Sequence, residues 1–221
     1  MRKLTAVCVA IFSATILLFS ASLGPSFAET GTNNAIFGDV SWSDPGNITG
    51  AGDDSRANAT SITVETSQYI MATNFGFGGF TGTVDGVLCE IERYGTQAGT
   101  GTLPDDNNIR LVNGAGTVVG DNKSLSNQLP NGSGNEAFAS YGGVSDDWNA
   151  SLVDTDIPDA DFGCVFSATL NGDGVGDDST AFVDSVRVTV AYTPAVGGRR
   201  RFVSRNAGLL KALPKTEKGD R

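Results

Sequence analysis

The sequence predicts an all-β chain folded as an antiparallel β-sandwich, jelly-roll-like, of about eight or nine short strands. Three observations carry this prediction. Apolar residues recur with a period of two between turn-forming clusters, no stretch holds a helical period for three turns, and Gly makes up 29 of the 221 residues. Glycine recurs with Asn in short runs such as Asp44-Pro45-Gly46-Asn47, Asn113-Gly114-Ala115-Gly116, Asn131-Gly132-Ser133-Gly134 and Asn171-Gly172-Asp173-Gly174. Such runs supply turns at little steric cost.

Taken in order, the chain opens on residues 1–28, which read as a secretory signal peptide. Arg2 and Lys3 give a basic start, Thr5 to Leu23 is almost wholly apolar or small, and Ser26-Phe27-Ala28 ends in a small-residue site. Cleavage after Ala28 is expected to leave a mature domain spanning 29–196, secreted and without further membrane insertion. A short strand is expected near Ala35–Ser41, then strands over Ser61–Glu65 and Tyr69–Phe77. In Val87 to Arg93, Val87, Cys89 and Ile91 share one face while Glu90 and Glu92 take the other, the mark of a half-buried strand. Further strands are expected at Asn108–Asn113, Gly116–Gly120, Phe138–Tyr141 and Phe162–Leu170. Asp184–Tyr192 alternates most clearly, with Val186, Val188, Val190 and Tyr192 on the inner face. A body of this size buries a core without metals or staples.

Charge divides the chain. Residues 29–196 hold 23 acidic and 5 basic residues, a net of −18, whereas 197–221 holds eight basic and two acidic, a net of +6. An acidic body repels nucleic acid and anionic membrane, so neither is an expected partner. The tail follows Gly197-Gly198 and is expected to be disordered unless a partner orders it, since Asn206 to Leu213 allows two helical turns at most. It is either a solvated terminus or a dock for the acidic face of another copy or for an anionic surface polymer.

The chain has no histidine. Ser-His-Asp and Cys-His catalysis, histidine-containing zinc sites and an imidazole switch are therefore excluded. Glu65, Glu90, Glu92 and Glu136 are the body's glutamates after Glu29. Glu90 and Glu92 are neighbours on one strand face, whereas a glycosidase sets its pair across a cleft. A solvated strand face is the reading adopted, and the chain is expected not to be an enzyme.

Several motifs fall in order across Trp42 to Thr193: Ala72-Thr73-Asn74-Phe75-Gly76-Phe77, Glu90-Ile91-Glu92-Arg93, Asn108-Ile109-Arg110-Leu111-Val112, Val119-Gly120-Asp121-Asn122-Lys123, Tyr141-Gly142-Gly143 with Asp146-Asp147-Trp148, Asp161-Phe162-Gly163, and Val183 to Val190. In these the body resembles a largely uncharacterised β-sandwich module of bacterial secreted, surface-associated and phage-associated proteins. The resemblance implies a sandwich fold and an extracellular setting, and it brings no catalytic residues. Cys89 and Cys164 depart from its pattern, which has aliphatic residues there, and the basic tail lies outside it.

Three candidate sites remain. Cys89 and Cys164 are the cysteines of the mature chain, and export favours a disulfide between their strands; the alternative is two buried free thiols. Trp148 in a polar stretch, with Tyr141, Asp146 and Asp147, is a candidate sugar-stacking site, against the alternative that these aromatics are core. Asn171, Asp173, Asp177 and Asp178 alternate oxygen ligands with glycines, as a calcium loop does, and Asp53-Asp54 is a second acidic loop of this kind. Val175 and Phe182 break the EF-hand pattern, so a polar hairpin loop is the alternative. Calcium is the single cofactor candidate. The expected function is a secreted, non-enzymatic binding module for carbohydrate or a cell-surface polymer; the alternative is a structural subunit that self-associates through acidic body and basic tail.

Overall fold

The computed structural model describes residues 20–196. Most of the expected leader and the whole tail, 197–221, lie outside the described residues. Eleven strands follow one another: β1 (Ala21–Phe27), β2 (Thr30–Asn34), β3 (Ala57–Ser61), β4 (Val64–Thr66), β5 (Tyr69–Thr73), β6 (Gly82–Gln97), β7 (Thr102–Val112), β8 (Val118–Val119), β9 (Ala137–Gly142), β10 (Gly163–Asn171) and β11 (Ser179–Pro194). Short 3-10 turns occur at Pro45–Ile48 and Ser133–Asn135.

The strands form two antiparallel sheets. The first has the order β1-β11-β6-β9, with β3 also on β11, and the second β2-β5-β10-β7-β8, with β4 also on β10. Strand alternation explains how they pack. Val87, Cys89 and Ile91 of β6 and Val186, Val188 and Val190 of β11 turn inward to meet Cys164, Phe166, Ala168 and Leu170 of β10 and Ile109 and Leu111 of β7. Connections add Trp42, Ile48, Trp148, Ile157 and Phe162 to this core. Each fully buried large side chain contributes about 1.5–3 kcal/mol, so Phe166→Ala, which also opens a cavity, costs about 3–5 kcal/mol.

Two long strands organise the edges. Along one side β11 pairs with β6 from Ser179 to Pro194; on the other, β3 covers Ser179–Val183 and β1 covers Arg187–Tyr192. In the second sheet β10 has β7 on one side, with β5 and β4 dividing the other.

The sandwich class holds, while several strand bounds differ from expectation. Ala35–Ser41 is a connection rather than a strand, because the pairing on β5 ends at Asn34. Ser61–Glu65 spans the join of β3, which lies in the first sheet, and β4, which lies in the second. β7 begins six residues before Asn108, through Pro104-Asp105-Asp106-Asn107. The described fold also begins eight residues before the expected boundary at Glu29, since Ala21–Phe27 is a strand and Ala28 is buried in the core.

Candidate functional site: the outer face of the first sheet

The outward parity of β6 presents Glu90, Glu92 and Tyr94. Register sets Arg187 of β11 opposite Glu90 and Phe182 opposite Tyr94. Arg187 forks onto Glu90, with Nε donating to Oε2 at 2.8 Å and Nη2 to Oε1 at 3.0 Å, while its guanidinium lies 4.1 Å from the ring centroid of Phe138 on β9. Tyr94 and Phe182 stack with centroids 4.5 Å apart and planes 7° from parallel. Tyr94 is buried beneath, while Phe182 and Phe138 stay partly exposed.

Beside this stack is an acidic group. The pairing of β11 with β6 shifts between Val183 and Ser185, and the bulge turns Asp184 outward toward Asp54 and Glu136. The backbone amides of Asp53 and Asp54 donate to Asp184 at 3.4 and 3.3 Å. Gly52 rides on two carboxylates at once: a Cβ there would lie 2.5 Å from Glu92 Oε2 and 2.9 Å from Asp184 Oδ2, so a larger residue would displace these side-chain ends. Asp54, Glu136 and Asp184 offer oxygens within 4.8 Å of one another. Arg56 already bridges two of these acids, its Nε donating to Glu136 Oε1 at 3.0 Å and its Nη2 to both Glu136 and Asp54. The guanidinium also lies 5.2 Å from the Tyr94 ring centroid.

Arg56 thus bonds two of the four carboxylates, Glu136 and Asp54, while Glu92 and Asp184 lie close by without a bond to it. Burial, and then the charge of Asp184, push Glu92 above the usual glutamate range. Burial also raises Asp184, against the pull of the two loop amides. The bond to Glu136 is the largest influence holding Arg56 firmly protonated. A cation entering here would compete with Arg56 for Asp54 and Glu136.

The interior holds a second polar group. Arg93, Asp106 and Tyr141 are 2%, 3% and 1% exposed. Arg93 Nη2 donates to Asp106 Oδ2 at 2.9 Å, Arg93 Nε to the Tyr141 hydroxyl at 2.8 Å, and that hydroxyl to Asp106 at 3.0 Å. Burial raises both Asp106 and Tyr141, while the charge of Arg93 opposes the rise in each.

The expected sugar site is therefore corrected. Trp148 is fully buried and donates from Nε1 to Val87 O at 2.7 Å, so it offers no face to a ligand. Tyr141 belongs to the interior group. Asp146 and Asp147 accept the amides of Trp148 and Asn149 at 2.9 and 3.0 Å, and Lys123 pairs with Asp146 at 3.0 Å. These acids fix a left-handed loop, with Trp148 at φ 57° and Asn149 at φ 51°, that drives the indole inward.

The expected calcium loop is a locked hairpin loop. Asn171 donates to Leu103 O and Asp105, pinning β10 to β7. Asp173 accepts the amide of Val175 at 2.8 Å, Thr100 Oγ1 donates to it at 2.9 Å, and the Thr100 amide donates to Asp177 at 2.7 Å. The Val175 amide and the Thr100 hydroxyl hold Asp173 below the usual carboxylate range. The Asp178 backbone carbonyl accepts Ala98 N at 2.9 Å. The loop of Asp53-Asp54, by contrast, does join other acids.

Cys89 and Cys164 meet across the two sheets, both buried. They approach to 2.6 Å, and burial pushes the Cys89 thiol up. Arg56, Asp184, Arg93 and Asp106 carry the two polar groups and were not among the expected site residues. For Arg93 a signal exists: it shares the parity of Val87, Cys89 and Ile91. Compared with family models, with curated proteins and with solved structures, the chain has no match.

Proposed function

We propose that this chain is an exported, non-enzymatic binding module that takes a polyhydroxylated polymer, of the polysaccharide class, on the outer face of its first sheet. The observation that carries this reading is the adjacency there of partly exposed Phe182 and Phe138 to Arg187, Glu90, Glu92 and Arg56. Aromatic rings offer stacking surface to the C–H faces of sugars, while carboxylates and guanidinium groups exchange hydrogen bonds with hydroxyls. The resemblance of the body to surface-associated modules supports the same setting. The carboxylates support a non-enzymatic reading, because Glu90 and Glu136 are tied to arginines and Glu92 and Asp184 lie under Gly52.

The test is binding of the full exported chain to a panel of soluble and insoluble polysaccharides, with Phe182→Ala beside wild type. Saturable binding that falls at least tenfold in the variant, with Tm little changed, supports the face. Absence of binding across the panel favours the structural subunit. The opposition of a −18 body to a +6 tail supports that second reading, which expects salt-sensitive self-association lost on deletion of 197–221.

Export also brings Cys89 and Cys164 to an oxidising compartment. There, exchange with a disulfide-bearing oxidant joins the two sulfurs as the oxidant's own S–S bond breaks, two electrons and two protons passing to it so that it leaves as two thiols. Thiol titration of the denatured, unreduced exported protein is then expected to find neither thiol, and both after reduction. Both thiols titrating before reduction would leave a buried thiol pair.

A further inference from the structure

We infer that the segment 23–28 stays with the exported protein, so that its leader is cut at Ser20-Ala21-Ser22 or upstream and the Ala28–Glu29 bond survives. The Ser26-Phe27-Ala28 motif suggests the opposite. Its residues nevertheless fit the fold at five separate points, and a discarded leader end has no cause to do so.

The first is register: Leu23 lies opposite Val190, and Ser26 and Phe27 lie opposite Val188 and Arg187. The second is close approach, since Gly24 has φ +92° and a Cβ there would lie 2.5 Å from Val188 O. The third is packing, with Leu23 partly buried against the core. The fourth is Ala28, whose N–H donates to Val186 O and whose carbonyl accepts from Gly50 N, both at 2.9 Å, at a site with no solvent exposure. The fifth is the Ser26 hydroxyl, which donates to Phe75 O. Beyond Ala28 the chain crosses directly into β2 of the second sheet, Glu29 N donating to Thr73 O, so this stretch links the two layers.

Removing it would have two consequences. Val186 O and Gly50 N would lose their buried partner. Arg187 to Val190, with the sequence Arg-Val-Thr-Val, would become an open edge of strand-forming residues, the kind of edge on which another chain adds. β3 cannot cover it, because β3 ends opposite Val183. Cleavage after Ser22, with Ser20 and Ser22 as the small residues, follows the apolar run directly and keeps Leu23, Gly24, Ser26, Phe27 and Ala28 in place.

The inference goes beyond the binding function and is independent of the ligand. Intact mass and N-terminal sequencing of the full chain, exported by a bacterial host, test it. A first residue at or before Leu23 is expected, and Glu29 overturns the inference whether or not polysaccharide binds. Gly24→Val gives a second reading on the exported protein. If the strand is retained, Tm falls by about 5 °C or more or folded yield is lost. An exported Gly24→Val protein with wild-type mass and Tm overturns the inference.

Discussion

Arg93 and Arg56 perform the same chemistry on opposite sides of one sheet, under different rules. Arg93, inside, meets one carboxylate and one hydroxyl, and each of the three groups is bonded to both others. Arg56, outside, is shared by Glu136 and Asp54 with Glu92 and Asp184 close by. In the interior an unmet charge or donor is costly, because it cannot turn to water. The outer group reaches water at Asp54, although Asp184 and Glu136 are largely covered, so its surplus negative charge is met by solvent on that side and the acids there keep capacity to exchange partners. The closed group reads as structure and the open one as function.

The largest effect is expected from breaking the closed group. Arg93→Ala leaves Asp106 buried and uncompensated and is expected to destabilise by about 3–5 kcal/mol, measured by urea unfolding. Replacing the pair together, Arg93→Met with Asp106→Leu, should cost far less, since no charge is then stranded. A loss below about 1 kcal/mol for Arg93→Ala would mean that water reaches Asp106, and the contrast between the two sides would fail.

Tyr141→Phe probes the same group more gently. It removes the hydroxyl that takes the Arg93 Nε proton and donates to Asp106, with an expected cost of about 1–3 kcal/mol and no change in polysaccharide binding. A stable variant with weakened binding would return Tyr141 to the ligand site.

Which parts of this were legible in the sequence follows from the range of the forces involved. Alternation is local, so the strands around Val87–Arg93 and Asp184–Tyr192 could be read directly, as could the sandwich class. The proximity of Cys89 and Cys164 could be read too, because both sit on inward parity among aliphatic residues. Trp148 could not, since Ser145-Asp146-Asp147-Trp148-Asn149 is a polar loop as expected. What sends its indole inward is the capping of two amides by Asp146 and Asp147, together with a left-handed backbone. β7 was hidden for a related reason: Pro104-Asp105-Asp106-Asn107 has turn composition, yet Asp106 is drawn into the strand by Arg93. The outer acidic group draws on Asp54, Glu92, Glu136 and Asp184, far apart in the chain, and it depends on a bulge that leaves no local mark. Ala21–Phe27 reads as the end of a leader in the sequence and as an edge strand in the fold, because a secretory end and an uncharged edge strand share one composition.

Outside, Arg56→Ala breaks a partly buried bond to Glu136 and an exposed one to Asp54; the expected cost is about 1–2 kcal/mol, part of which should shrink as salt is raised. The salt dependence separates the two sides. A buried pair is screened little, so the cost of Arg93→Ala should stay the same between low and high salt, while that of Arg56→Ala moves.

The smallest effect carries the most about the open group. Glu92 lies above the usual glutamate range in the folded chain, from burial first and the charge of Asp184 second. Its ionisation therefore opposes folding at neutral pH. As pH falls through its folded value the proton is taken up and the penalty disappears, and below the ordinary glutamate range Glu92 makes no further difference. Asp146 and Asp173 have the opposite sign: their folded values are depressed, so what they add is present above the usual aspartate range and lost as pH falls below it through their folded values. Glu92→Gln cancels the first trend and leaves the second intact. The variant should exceed wild type by a few tenths of a kcal/mol at pH 7, and the advantage should vanish by about pH 4. If instead the variant is less stable at pH 7, ionised Glu92 is favoured in the folded state, and the outer face is as well balanced as the interior.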